Sequence, residues 1–157
     1  MPRPSRFARP WPPTANSGEL SISFTLLDTS FVIDLLDGRP EAVALAAALD
    51  HDGEVVRIPA PVVFELWVGA VTARNTGEEV AKIEELLGTY ETAPLDRNAA
   101  KAAGQLQGEQ VRKGRPLSTV DAQVAGMASA RSEVLVTGDR SLSRLSPKVP
   151  VRTYSRT

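Results

Sequence analysis

The chain has 157 residues, a net charge of −1 and 42% apolar residues, which fits one domain with its own core. It has no cysteine, which excludes disulfides, thiolate metal sites and cysteine nucleophiles and fits a reducing cytoplasm. The one histidine, His51, sits in the polar stretch Asp50-His51-Asp52-Gly53, so histidine-based triads and zinc sites are disfavoured and polar catalysis must lean on carboxylates.

Residues 1–23 hold Pro2, Pro4, Pro10, Pro12 and Pro13 among Arg3, Arg6 and Arg9. Such prolines oppose helix, and no apolar signal-peptide core follows the arginines, so this stretch reads as a flexible tail. A domain is expected from 24 to 157. Phe24 to Leu27 reads as a short buried strand that ends at Asp28. Thr29 or Ser30 can cap a helix carrying Phe31, Ile33, Leu35 and Leu36, which Gly38 and Pro40 stop. Glu41 to Leu49 is an alanine-rich helix with Val43, Ala46, Ala47 and Leu49 as its expected buried side.

Val55 to Ile58 is a second strand, closed by Pro59, and Pro61 suits the start of a helix over about 62–74. Val62, Leu66 and Ala70 form one row of that helix, and Val63 and Trp67 the next. Glu65 lies beside the first row, either exposed at the flank or held in a site. A third helical pattern at 77–88 carries Val80, Ile83, Leu86 and Leu87, and residues 92–95 form a short extended piece. Asp96 or Asn98 can cap the next helix, which runs to about Val111.

From residue 111 onward the chain carries 9 Lys/Arg against 3 Asp/Glu. Arg112-Lys113-Gly114-Arg115-Pro116 opens this basic part. The turn suits a helix C-terminus or contact with a polyanion. Ser118 or Thr119 can cap a helix over about 120–131 with Asp121 in its first turn. Ala122, Ala125, Gly126 and Ala128 make it thin enough to pack closely. Val134 to Thr137 is a strong strand, Gly138 makes a turn, and Asp139 follows. Leu142 and Leu145 mark a short helix, and residues 150–154 read as a last strand at an edge. Strands alternating with helices predict an α/β domain with a parallel sheet.

Asp28 and Asp139 each follow a strand, so both belong at the carboxyl edge of that sheet. Glu65 and Asp121 lie early on helices that start from the same edge. Four like charges brought together are costly unless a cation offsets them, and Mg²⁺ prefers such oxygen ligands. One alternative is an aspartyl phosphatase or phosphotransferase. Its usual second acid after the first strand is replaced by Ser30. A non-catalytic interaction domain is another.

Four segments carry a family resemblance: LLDTSFVIDLL with Asp28, PVVFELWVGA with Glu65, STVDAQVAGMA with Asp121, and LVTGDRSLSRL with Asp139. In this order and spacing, over about 24–154, the chain resembles PIN-domain ribonucleases, and most closely the VapC-type toxins of toxin–antitoxin pairs. The resemblance implies a three-layer α/β/α sandwich with a parallel β-sheet, and Mg²⁺- or Mn²⁺-dependent hydrolysis of RNA phosphodiesters in the cytoplasm. It implies Asp28, Asp121 and Asp139 as metal ligands, Glu65 as the fourth acid of the catalytic pocket, and Thr29 and Thr137 as supporting hydroxyls. Leu142 replaces a common aromatic and Val124 a common isoleucine, both core changes. Arg112, Lys113, Arg115, Arg140 and Arg144 are candidates for holding RNA. The resemblance also implies an antitoxin partner and a homodimer, for which Phe31, Leu35, Val63, Trp67 and Val71 are the expected apolar surface. No stretch approaches the roughly 20 apolar residues of a membrane span.

Overall fold

The computed structural model describes residues 24–156. The tail proposed at 1–23 lies outside them. The elements alternate as expected: β1 (Phe24–Leu27), α1 (Thr29–Leu36), α2 (Pro40–His51), β2 (Val55–Pro59), α3 (Ala60–Thr72), α4 (Thr76–Thr89), β3 (Glu91–Ala93), α5 (Arg97–Arg112), α6 (Thr119–Arg131), β4 (Val134–Thr137), α7 (Arg140–Ser143) and β5 (Val151–Thr153). The sheet order is β3-β2-β1-β4-β5, and all four pairings are parallel.

This order sets the place of a site. From β1 the chain steps outward through β2 to β3. It then crosses back to β4 and steps the other way to β5. Right-handed crossovers in opposite directions put their helices on opposite faces, which gives the three-layer α/β/α sandwich. The two directions part between β1 and β4, and the crevice beyond the carboxyl ends of such a strand pair is where open α/β sheets bind ligands.

The core is apolar and closed. Leu26, Leu27, Phe31, Ile58, Val62, Val124, Leu135 and Leu142 are all buried at its centre. In α3 the row Val62, Leu66 and Ala70 faces inward. In α6, a Cβ added at Gly126 would fall 2.5 Å from Ala103 Cα, so glycine is what lets α5 and α6 meet backbone to backbone. Asp96 caps α5 by accepting from Ala99 N at 2.9 Å, and Ser118 caps α6 by accepting from Asp121 N at 3.1 Å.

Three local expectations are corrected. In α1, Thr29 is already helical and Asp28 takes the cap position, with no side-chain cap hydrogen bond from any residue there. The Asp28 carboxylate is occupied elsewhere. In α2 the buried residues are Ala42 and Leu49, with Leu45 and Ala46 packed beside them, while Val43 is 46% exposed and Ala47 is also exposed. An alanine-rich helix defines its inner face weakly, and the two leucines set the rotation. Phe31 is fully buried, with the Tyr154 ring edge-on at 5.1 Å and 85°, so it offers no outer surface.

Candidate active site

Asp28 closes β1 by donating its backbone N–H to Val136 O of β4 at 3.0 Å, which fixes it in the crevice. The residue is only 2% exposed. Its Oδ2 accepts from Thr137 Oγ1 at 2.7 Å and from Ser30 Oγ at 3.0 Å. Its Oδ1 is buried and has no hydrogen-bond partner. Burial raises the Asp28 pKa, the two hydroxyls and the Thr29 N–H pull against it, and the Asp139 charge adds to the rise; the net direction is upward.

The hydroxyls stitch two turns together. Thr137 Oγ1 accepts from Asp139 N at 3.0 Å, and Ser30 Oγ accepts from Gly138 N at 3.0 Å. The turn after β4 is thereby pinned to the turn after β1. Asp139 caps α7, its Oδ1 accepting from Ser141 N at 2.7 Å. Glu65 lies in the second turn of α3, where its Oε1 accepts from Thr29 Oγ1 at 2.6 Å. Thr137 thus supports Asp28, whereas Thr29 supports Glu65.

Asp121 ties the cluster together electrostatically. Its pKa is pushed up to about 6, first by burial and then by the charges of Asp28, Asp139 and Glu65, while Ser118 pulls it back. The other three expected acids therefore all lie near enough to act on Asp121. As placed, the described residues hold no group of three such side chains close enough to grip one ion. The donor chemistry still fits a hard divalent cation. The donors are carboxylate oxygens only, and one of them, Asp28 Oδ1, is buried and unpartnered.

The five cations expected to hold RNA are not brought together. Lys113, Arg115 and Arg144 line one cleft. Arg112 lines a different hollow along α5, with Gly104 and Gly108. Arg140 is exposed at the first position of α7, next to Asp139.

Two features escaped the sequence reading. Ser30 is as much a part of the site as Thr137. Its signal was its place two residues after Asp28, where a hydroxyl can turn back to the carboxylate. Asp34 is buried on α1 and accepts from Tyr154 Oη at 2.6 Å and from Arg156 Nε at 2.8 Å and Nη2 at 3.1 Å. It anchors the C-terminal segment beside Gly138, whose Cα region lies under Tyr154 and Arg156. A single acid in an apolar helix gave no hint of partners 120 or more residues away.

Fold and crevice together define a small α/β domain with an acidic site at its topological switch point. A PIN domain family model matches residues 25–147. The tRNA(fMet)-specific endonuclease VapC of Shigella flexneri is 29% identical over 114 residues, which are 73% of this chain and 85% of that protein. The DNA-bound VapBC structure from Salmonella typhimurium superposes with a TM-score of 0.74 at 28% identity, covering 85% of this chain and 98% of that one. VapBC2 of Rickettsia felis, bound to a promoter DNA fragment, gives 0.76 at 19% identity, with 84% and 99% covered. The chain belongs to the PIN domain family.

Proposed function

We propose that this protein is a divalent-metal-dependent endoribonuclease and the toxin of a toxin–antitoxin pair. The carrying observation is that Asp28, Glu65 and Asp139, from three other segments, all act on Asp121 at one edge of the sheet, with Asp28 Oδ1 buried and unpartnered. The VapC relatives named as tRNA(fMet)-specific endonucleases, and the VapBC complexes that share the fold, support the activity and the pairing.

On this reading Asp28, Asp121 and Asp139 hold Mg²⁺ or Mn²⁺. When bound, such an ion makes water a better nucleophile and stabilises charge on the phosphoryl oxygens. Thr137 and Ser30 hold Asp28 Oδ2 and leave Oδ1 without a hydrogen-bond partner. Glu65, held by the Thr29 hydroxyl, would take a proton from the attacking water. Hydrolysis then joins a water oxygen to phosphorus, breaks one P–O ester bond and leaves the proton on the departing oxygen. The outer face of α3 offers Phe64, Val68 and Val71 at 65%, 49% and 62% exposed. A contiguous apolar face of this kind suits an antitoxin or a second copy of the chain.

Short RNAs incubated with the purified protein should be cleaved with Mn²⁺ and not with chelator. Asp28→Asn and Asp139→Asn should each lower the rate at least about 100-fold, because each removes a charged ligand oxygen. Cleavage retained in both variants would overturn the assignment of this crevice.

A further inference from the structure

We propose that the cleft lined by Lys113, Arg115 and Arg144 is a subsite for a backbone phosphate of single-stranded RNA, flanking the phosphodiester at the acids; this rests on the ribonuclease reading above. The cleft's other walls include Pro116, Leu117 and Ser141.

Two structural links join it to the acidic crevice. Ser141 lines the cleft and donates its N–H to Asp139 Oδ1 at 2.7 Å. Leu117 lines the cleft and precedes Ser118, whose Oγ accepts from Asp121 N at 3.1 Å. A strand of RNA leaving the acids on this side runs directly over the three cations.

The cationic rim is built, not loose. α5 ends at Arg112, and Gly114 takes a φ of +71° that reverses the chain. Arg115 N then donates to Gln110 O at 2.9 Å. Gln107 clamps the far end of the turn, donating Nε2 to Leu117 O at 2.6 Å and accepting from Leu117 N at 3.0 Å. Among the described residues, neither Arg115 nor Arg144 has a hydrogen-bonded or ion-paired side chain. Glu109, the acid near Lys113, is paired with Lys148. Guanidinium groups with no internal partner suit the two-pronged recognition of phosphate oxygens.

Size decides the class of ligand. The cleft holds about 160 Å³, well below the roughly 300–1,000 Å³ of pockets that enclose a whole small molecule. That suits a phosphate with part of its sugar, presented on a chain that continues past it.

The test is anisotropy of a fluorescein-labelled 12-nucleotide single-stranded RNA of mixed sequence, in chelator, with the full chain. The K113Q/R115Q/R144Q variant should bind about tenfold more weakly at low salt. Its slope of log Kd against log salt should fall by about 1. Arg144→Lys keeps the charge but loses the two-pronged contact, so its affinity should fall between the parent's and the triple variant's, whereas Lys101→Gln, an exposed change elsewhere on α5, should leave binding intact. Unchanged melting temperatures check that these exposed changes leave the fold alone. Inorganic phosphate at the RNA concentration should not compete. Competition at that level would assign the cleft to free phosphate. A polyglutamate peptide that bound as tightly and lost the same affinity would reassign it to an acidic protein segment. Triple-variant affinity equal to the parent's, or a parent with no RNA affinity, overturns the subsite. A parent that binds RNA through these cations but never cleaves it with Mn²⁺ overturns the nuclease reading and leaves the subsite standing.

Discussion

In chelator, replacing Asp121 by Asn should stabilise the protein at neutral pH. The Asp121 pKa stands at about 6 against an ordinary 3.8. At about 1.4 kcal/mol per pH unit, keeping that carboxyl ionised above pH 7 costs the fold roughly 3 kcal/mol as an upper bound. Water screens a half-buried group, and the N-terminus of α6 favours its charge by about 0.3–1 kcal/mol, so a net cost of about 1–2 kcal/mol remains. Asn has the same shape and no charge, and recovers that amount. For a domain of this size the gain is roughly 2–8 °C in melting temperature.

The sign with pH follows from linkage. Between the unfolded carboxyl value of about 3.9 and the folded value near 6, the native state holds a proton that the unfolded state has lost. The parent is therefore favoured at low pH and loses stability as pH rises through 6. The advantage of Asp121→Asn should be absent below about pH 4, grow between, and level off above 7. Thermal melts in chelator at several pH values read this directly. With Mn²⁺ the order should reverse, because the ion stabilises the parent by binding it. A variant less stable than the parent in chelator at pH 7.5, or a difference independent of pH, would refute the reasoning. Either would mean that Asp121 mainly serves the helix dipole.

Three further outcomes test the frame around the site. Burial pushes the Asp34 pKa up, but Arg156, Tyr154 and Arg39 outweigh it and hold the carboxyl below its usual range. Asp34→Ala should therefore cost about 2–3 kcal/mol at pH 7 by urea denaturation, and the loss should fade as pH falls below about 4 through the depressed folded value. Arg57 pairs with Glu133, which is buried with Oε2 unpartnered. Arg57→Met should cost about 3–5 kcal/mol by leaving that carboxylate alone, and R57M/E133L should recover most of it. Gly126→Ala should cost about 1–3 kcal/mol by pushing α6 off α5, read as a lower melting temperature.

The order of elements and the edge where the acids meet were legible because they depend on local signals. Strand ends, the caps at Asp96 and Ser118, and glycine turns all act within a few residues. In a parallel sheet those signals also fix which end of each strand carries the site. What was not legible depends on distant partners. Whether Phe31 packs inward or outward was decided by Tyr154, at the far end of the chain. Asp34 looks solvent-facing until Tyr154 and Arg156 arrive to bury it. The Arg57–Glu133 pair joins β2 to the start of β4 across β1, a contact no periodicity announces. The grouping of Lys113, Arg115 and Arg144 needed the α5–α6 turn to fold beside α7.

The two oxygens of Asp28 bear on the proposed cation site. They are unequal: Oδ2 takes both hydroxyl hydrogen bonds, and Oδ1 takes none. Here the hydroxyls fix the direction of the group without fully offsetting its burial, so its pKa stays raised. On the proposed reading, a divalent ion held by Asp28 would supply the missing partner and offset the repulsion from Asp139 and Asp121. α7 then divides two fields. Asp139 at its start faces the acids, and Arg144 at its end lines the basic cleft. Across one short helix the surface passes from a place that attracts cations to a place that attracts anions. On the proposed reading, the acids would hold a metal to one side of a phosphodiester and Arg144 would hold phosphate on the other, which would satisfy both.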